Sequence, residues 1–175
     1  LRRYLELAPS RNSQEYGLAL YNLGYVAFKQ KQYDAAQGWF TKCIAQASVL
    51  QERSVLADAY NRSGDCYFYA RRFAEASGQY AQAAVTYPAL GDYSLFQEGF
   101  VKGLQRDYTG KIQTLNRLLT DYPTSQYLDD ALYEQGRAFV QLEDNTNAIN
   151  RYTLLTQRYP DSPLSRKAAN EIGLL

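Results

Sequence analysis

The sequence predicts an all-α fold, a right-handed superhelical solenoid of stacked antiparallel helix hairpins. The first observation is a repeat anchored on glycines at positions 24, 64, 99 and 136. Twelve residues after each glycine stand Ala36, Ala76, Lys111 and Ala148, and sixteen after each stand Phe40, Tyr80, Leu115 and Tyr152. The second is a large apolar residue four positions before each glycine: Leu20, Tyr60, Leu95 and Leu132. The third is that no segment of useful length alternates apolar and polar residues as a strand does.

Each slot of this repeat has a physical reason. Small residues such as Gly24 and Ala36 let the two helices of a hairpin approach closely. Large residues such as Leu20 and Phe40 fill the space between neighbouring hairpins. Because one hairpin cannot bury its own apolar face, the core forms only when hairpins stack.

The register sets the order of the elements along the chain. They are predicted as the end of a preceding helix at 1–9, a first repeat at 14–48, a second at 53–88, a third at 89–123, a fourth at 125–160, and the first helix of a fifth repeat at 162–175. The chain contains no methionine and begins inside a predicted helix. We therefore expect an internal slice of a longer array, with any targeting segment outside it.

Prolines and serines mark the predicted helix ends. Pro88, Pro123 and Pro160 each follow a repeat glycine by twenty-four residues, and proline cannot continue a helix. Ser125 and Ser162 are predicted to cap the helices that follow. The longest addition between hairpins falls at 48–53, where it replaces the expected proline.

The third repeat departs from the pattern. Lys102 and Lys111 stand where aromatic and small residues are expected, and Gly110 falls early in the second helix. Glycine inside a helix costs about 0.5–1 kcal/mol relative to alanine. We expect this hairpin to be shifted or packed less tightly than the others.

Charge and residue usage narrow the classes of partner. Nineteen basic residues against eighteen acidic ones give a net charge of +1, so no nucleic-acid or anionic-membrane partner is predicted. The adjacent Arg71 and Arg72 are interpreted as solvated residues of a turn. The chain contains no run of eighteen apolar residues, so no part of it is predicted to insert in a membrane. Cys43 and Cys66 lie at small-residue positions inside predicted helices and are expected in the core, with a disulfide or a reactive thiol as alternatives.

The sequence offers no catalytic or cofactor site. It has no histidine, which removes the commonest general base and metal ligand, and no glycine-rich phosphate loop. The adjacent Asp129 and Asp130 diverge around a helix, and Glu143 and Asp144 lie at a predicted turn. Neither pair has the geometry of an acid–base pair. The chain is therefore predicted to be no enzyme, with no metal and no cofactor.

Several segments resemble known repeat proteins. The run from Tyr21 through Gly24 to Ala36 resembles a tetratricopeptide repeat, and the resemblance covers the whole chain. The Tyr-Pro-x-Ser junctions at 122–125 and 159–162, with the Phe-Gln-Glu-Gly-Phe run at 96–100, are similar to bacterial envelope repeat proteins. These include an outer-membrane assembly lipoprotein, a periplasmic coordinator of constriction, and large repeat proteins of Bacteroidetes-type bacteria. The resemblance implies an interaction scaffold in a periplasmic or outer-membrane setting.

In such a solenoid the first helices line a concave wall, and one position per turn faces the groove. Counting from the glycines predicts a partner-binding groove formed by Tyr21, Tyr25, Phe28, Asn61, Asp65, Phe68, Tyr69, Phe96, Phe100, Tyr133 and Arg137. Exposed aromatic rings are typical of binding surfaces. Packing within the repeat is the alternative role for each of these tyrosines and phenylalanines.

Some repeats of this family hold a partner's C-terminal carboxylate with a Lys/Asn/Lys/Arg clamp. The corresponding positions here are Tyr21, Tyr25, Arg62, Tyr93 and Gln97, of which only one is basic. A chaperone-tail clamp is therefore not expected. The function predicted is a non-catalytic scaffold that takes a protein or peptide segment in an aromatic groove. A peptide- or ligand-sensing module of a cytoplasmic regulator is the alternative, and the sequence indicates no oligomeric state.

Overall fold

The computed structural model describes residues 1–7 and 13–175, and every regular element in them is helical. The predicted all-α class is confirmed; the predicted helix end at Pro9 lies outside the described residues. The helices are α1 (Arg2–Leu7), α2 (Gln14–Lys29), α3 (Tyr33–Ile44), α4 (Arg53–Tyr69), α5 (Phe73–Thr86), α6 (Asp92–Leu104), α7 (Tyr108–Asp121), α8 (Leu128–Gln141), α9 (Asn145–Arg158) and α10 (Pro163–Leu174), with a short 3₁₀ turn at Pro88–Leu90. None of them is long and apolar enough to cross a membrane.

The described helices fall into two compact units, Leu1–Ser94 and Leu95–Leu175, whose boundary lies inside α6. In the first unit α2 packs on α3 and α4 packs on α5, and α2 also contacts α4. In the second unit α8 packs on α9, and α10 packs on both. In the first unit α2 therefore lies against its own partner and the next first helix, and in the second unit α8 does the same, which is the packing of stacked hairpins.

The core of the first unit is built on the predicted slots. Leu20, Phe40 and Leu56 are almost fully buried, together with both cysteines. A Cβ on Gly24 would lie 2.7 Å from the Phe40 ring, so only glycine leaves room for that ring. Cys43 and Cys66 carry free thiols, and burial raises the pKa of each to about 12. The predicted core placement of the cysteines is confirmed.

The second unit repeats the same contacts. Leu132, Tyr152 and Leu155 are buried, and the Tyr152 ring packs against the backbone of Gly136. Leu115 lies against Gly99 in the same manner, because a Cβ on that glycine would approach Leu115 to 2.9 Å. At this contact the third hairpin leaves no room for a side chain, like the other hairpins, and the expected shift or looser packing elsewhere in it stays a prediction.

The turns inside the hairpins share one conformation. The seventh residue after each repeat glycine has a positive φ, at Lys31 (59°), Arg71 (60°), Arg106 (63°) and Glu143 (59°). The next residue is the N-cap of the second helix. Asp107 and Asp144 accept hydrogen bonds from Gly110 N and Asn147 N, whereas no side-chain cap is made at Gln32 or Arg72. Arg71 and Arg72 are exposed, as predicted.

The connections between hairpins also follow the prediction in most respects. Helices α5, α7 and α9 end two residues before their prolines, and the longest connection between described hairpins runs from 45 to 52. Leu50 is buried there and anchors the connection to the core. Ser162 caps α10, as predicted. Ser125 does not cap α8, because that helix begins at Leu128; its hydroxyl accepts from Tyr127 N in the preceding turn.

Candidate functional site

The residues predicted to line the groove differ in exposure. In the first unit Tyr25 is 38% exposed and Tyr69 is 56% exposed, one on each first helix. Tyr21, Phe28 and Phe68 are half-buried. Asn61 and Asp65 are buried. Within this unit the accessible part of the predicted set is therefore its aromatic part.

The exposed rings of the first unit are held in place by neighbouring side chains. Tyr69 stacks on Tyr33, with centroids 4.2 Å apart and an interplanar angle of 16°. Tyr33 in turn meets Phe28 edge-on at 5.6 Å. Lys29 lies 5.2 Å above the Tyr25 ring. Such contacts fix the orientation of a ring before any partner arrives, which lowers the entropy lost on binding.

Tyr33 is not among the residues predicted to line the groove, because that prediction considered only the first helices. It begins the second helix of its hairpin, nine residues after Gly24. The same slot holds Phe73 and Tyr108, so a recurring aromatic residue at this position was the available signal. A cavity of about 530 Å³ lies beside the Tyr33–Tyr69 stack and is lined by Lys31, Gln32, Asp34, Ala35, Cys66 and Ala70 as well.

A buried polar network explains the placement of Asp65. Its carboxylate accepts hydrogen bonds from Tyr80 Oη (2.5 Å) and Tyr93 Oη (3.0 Å), and it pairs with Arg62 Nη1 at 2.7 Å. Burial raises the pKa of Asp65, while Arg62 and the two hydroxyls offset part of that rise. These partners occupy the carboxylate within the first unit.

Arg62 is the centre of this network. Its guanidinium lies 5.5 Å from the Phe28 ring and 5.3 Å from the Tyr93 ring. Its Nε lies 3.5 Å from Asp58, which also accepts a hydrogen bond from Tyr21 Oη at 2.5 Å. Arg62 therefore ties α2, α4 and the start of α6 together through both charge and ring contacts.

Asn61 makes a similar contact. Its Oδ1 accepts a hydrogen bond from Ser94 Oγ at 2.9 Å, and both residues are buried. The amide thus joins α4 to the start of α6 within the first unit.

In the second unit the predicted residues lie on α6 and α8. Phe96 and Phe100 are half-buried on α6, with ring centroids 6.4 Å apart, and Tyr127 stacks on Phe96 at 5.7 Å. Tyr133 is half-buried on α8 and lies 5.8 Å from the Tyr152 ring. Arg137 has a side chain that is 56% exposed. The second unit therefore also presents rings on its first helices, with a cation beside them.

A second cavity, of about 270 Å³, opens between the third hairpin and α8. Its lining consists of Phe100, Gly103, Leu104, Tyr108, Lys111, Glu134, Arg137, Ala138 and Gln141. Lys111 Nζ pairs with Glu134 Oε2 at 2.5 Å inside it. Charge counting along the sequence did not identify this pair, because its members are 23 residues apart on different hairpins.

Comparison with protein-family models gives matches described as tetratricopeptide repeat over residues 15–87, 93–125 and 130–162. A sequence search of curated proteins finds no match.

Solved structures resemble the chain over most of its length. The crystal structure of YrrB, described as a TPR protein with an unusual peptide-binding site, is 18% identical; the alignment covers 88% of this chain and 74% of that chain at a TM-score of 0.72. MamA is 16% identical, with 91% and 85% covered at a TM-score of 0.73. The Arabidopsis OM64 TPR domain is 16% identical, with 73% and 98% covered at 0.59.

At these identities the solved structures establish the fold alone. The family matches fall on the same hairpins that the glycine register defines. The chain therefore belongs to the tetratricopeptide-repeat family.

Proposed function

We propose that this chain is a non-catalytic scaffold that binds a segment of another protein on the aromatic faces of its first helices. The observation that carries the proposal is the exposure of Tyr25 and Tyr69, whose rings are oriented by Lys29 and Tyr33. Rigid rings that stay accessible offer contact area at low entropic cost. YrrB, whose structure resembles this chain, is described as having an unusual peptide-binding site, and this supports the same kind of partner.

The buried polar network supports this role indirectly. The guanidinium of Arg62 contacts the rings of Phe28 and Tyr93. Its own position is fixed by ion pairs with Asp58 and Asp65. Side chains fixed in this way keep neighbouring hairpins in one register. We assign Asn61 and Asp65 to supporting the surface from beneath, and the contact itself to the exposed rings.

The double variant Tyr25→Ser/Tyr69→Ser tests the proposal. Both residues are exposed, so we expect near-native helical content by circular dichroism and loss of the partners that the unaltered chain enriches in quantitative pull-downs. The matched control is Val85→Ser/Leu90→Ser, because both residues are exposed apolar residues of the same unit outside the first helices. Equal partner recovery from the two variants would contradict the proposal.

We further propose that the scaffold works in the bacterial envelope, in the periplasm or at the outer membrane. The support is the resemblance of the Tyr-Pro-x-Ser junctions at 122–125 and 159–162 to envelope repeat proteins. Fractionation of cells that express the tagged full-length protein tests this directly. Recovery with periplasmic or outer-membrane markers is the expected result, and recovery with cytoplasmic markers would favour a cytoplasmic regulator instead.

A further inference from the structure

Lys111 occupies a slot that the other hairpins fill with alanine. Ala36, Ala76 and Ala148 are fully buried at the equivalent position. Lys111 is only 6% exposed, so its ammonium group has also left bulk water. Burial of a charge is unfavourable unless it is paired, and alanine satisfies the packing of this slot three times in the same chain. Packing alone therefore does not explain the lysine.

A second departure from the repeat makes room for Lys111. Four residues after the repeat glycine the other hairpins carry Phe28, Phe68 and Val140, whereas the third hairpin carries Gly103. A Cβ on Gly103 would lie 2.8 Å from both Cδ and Nζ of Lys111. The two departures belong together, because Gly103 has no side chain and the Lys111 side chain occupies the space that one would fill. Together they form the wall of the 270 Å³ cavity.

The cavity holds more positive than negative charge. Glu134, itself buried, pairs through one oxygen with Lys111 Nζ (2.5 Å) and through the other with Arg137 Nη1 (3.2 Å). Two cations thus share one carboxylate. The other residues that line the cavity include no aspartate, glutamate, lysine or arginine. The lining carries a net charge of +1, and the guanidinium of Arg137 lies at its exposed rim.

Apolar groups complete the lining. The Phe100 ring lies 5.9 Å from Lys111 Nζ, and Leu104 follows it one turn later on α6. Phe96 precedes it by one turn. The apolar surface of α6 therefore extends beyond the cavity on the side of Phe96. A chain segment that runs past the cavity suits this surface better than a chain end that stops in it.

We propose that this cavity is a subsite for the side-chain carboxylate of one aspartate or glutamate within the bound segment. The inference rests on the proposed peptide-binding function. The carboxylate accepts charge-assisted hydrogen bonds from the N–H donors of Lys111 and Arg137 that Glu134 does not use, and its methylene groups lie against Phe100. Lys111 comes from a second helix, which separates this subsite from a clamp built on first helices alone.

The first arm of the test is selection from a displayed random peptide library whose members are fused at their C-terminus, so that no free chain end is offered. The bait is the intact chain, with Lys111→Met as the test variant because methionine keeps the side-chain length without charge. The matched control is Arg117→Gln, which removes an exposed cation of the same hairpin outside the cavity. Circular dichroism melts verify that all three are folded.

The unaltered chain and the Arg117→Gln variant should enrich peptides with an internal acidic residue at one position, and the Lys111→Met variant should bind peptides without that preference. In the second arm, a Glu→Gln change in a selected synthetic peptide should weaken binding to the unaltered chain by about tenfold and should leave binding to Lys111→Met almost unchanged.

The other outcomes each decide something. Peptides selected without an acidic preference, or the same preference in Lys111→Met, would overturn the subsite and leave the proposed function standing. Equal affinity for a peptide whose only carboxylate is its free C-terminus would overturn the assignment to a side chain. Failure to select any peptide would contradict the proposed function and the subsite with it.

Discussion

At the scale of single residues, two glycines of one hairpin have opposite roles. Gly64 on α4 faces the Tyr80 ring, and a Cβ there would lie 2.8 Å from Cε1 of that ring. Gly78 on α5 is exposed, and a Cβ there would meet nothing within 4 Å. The absence of a side chain is a packing requirement at Gly64 and only a loss of helix propensity at Gly78.

Alanine substitution should therefore change stability in opposite directions at the two glycines. We expect Gly64→Ala to lower the free energy of unfolding by about 1–3 kcal/mol, as overpacking does. We expect Gly78→Ala to raise it by about 0.5–1 kcal/mol through helix propensity. Urea unfolding followed by circular dichroism measures both. Equal effects of the two substitutions would show that the contact with the Tyr80 ring does not require glycine at position 64.

Buried phenols make a second prediction at this scale. Burial raises the pKa of Tyr80, with Asp65 adding to the rise, and burial also raises the pKa of Tyr21 and Tyr152. In the unfolded chain these phenols titrate near their usual pKa of about 10. Because the folded pKa is the higher one, their contribution to stability is complete below about pH 10 and is lost as the pH rises further.

Each such tyrosine should lower the free energy of unfolding by about 1.4 kcal/mol per pH unit above pH 10. Unfolding at pH 9 to 11.5 measures the slope. The Tyr152→Phe variant keeps the ring beside Gly136 but has no ionisable hydroxyl. It should therefore reduce the dependence of the unfolding free energy on pH by the contribution of one tyrosine. A slope that this variant leaves unchanged would mean that Tyr152 ionises in the folded chain.

Residue patterns in the sequence could identify the packing slots but not the polar partners. The glycine register located the contacts of Gly24, Gly64 and Gly136 because both members of each contact belong to one hairpin. The burial of Asp65 was not predictable in this way. Its partners Tyr80 and Tyr93 lie 15 and 28 residues away, and helical periodicity does not show which neighbouring helix covers a given position.

At the scale of elements, the four hairpin turns share a backbone but differ in their caps. Each places one residue at positive φ and makes the following residue the N-cap of the second helix. Asp107 and Asp144 cap α7 and α9 with their side chains. Gln32 has similar backbone angles, φ −89° and ψ 72°, but its side chain makes no capping hydrogen bond. The turn geometry therefore persists with and without a side-chain cap.

Removing a side-chain cap at one turn should lower the free energy of unfolding, and adding one at another turn should raise it. Asp144→Ala removes the acceptor for Asn147 N and should lower the free energy of unfolding by about 1 kcal/mol. Gln32→Asp supplies an acceptor at an equivalent turn and should raise it by about 0.5–1 kcal/mol. Chemical unfolding of both variants is the measurement. If Gln32→Asp were destabilising, the turns would not be equivalent.

The third hairpin shows what the sequence could not predict at this scale. Lys102 and Lys111 suggested a loosened element, because lysine does not fit an apolar slot. In the structure Lys102 pairs with Glu98 at 3.1 Å and donates a hydrogen bond to Thr114 at 2.8 Å. Lys111 pairs with Glu134 on another hairpin. Ion pairs and a glycine thus accommodate both lysines, which a single-hairpin pattern cannot show.

At the scale of the whole chain, the repeat is the feature that sequence and structure agree on most closely. The register predicted the class and the order of the helices because each hairpin carries its own packing information. Which exposed rings bind a partner is not encoded in the same pattern, since one slot can be buried or accessible: Asp65 is buried and Tyr25 is 38% exposed, although each directly follows its repeat glycine. Tyr80 is buried and Tyr69 is 56% exposed, although both belong to one hairpin.

Photo-cross-linking tests the central claim, that the chain binds a protein segment through its first helices, most directly. A photoreactive phenylalanine analogue replaces Tyr25 or Tyr69 in the full-length protein in its native cells, with Val85 as the exposed control position on a second helix. The claim predicts that positions 25 and 69 cross-link the same partner and that position 85 does not. Cross-linking of that partner from position 85 alone, or equally from all three positions, would contradict it.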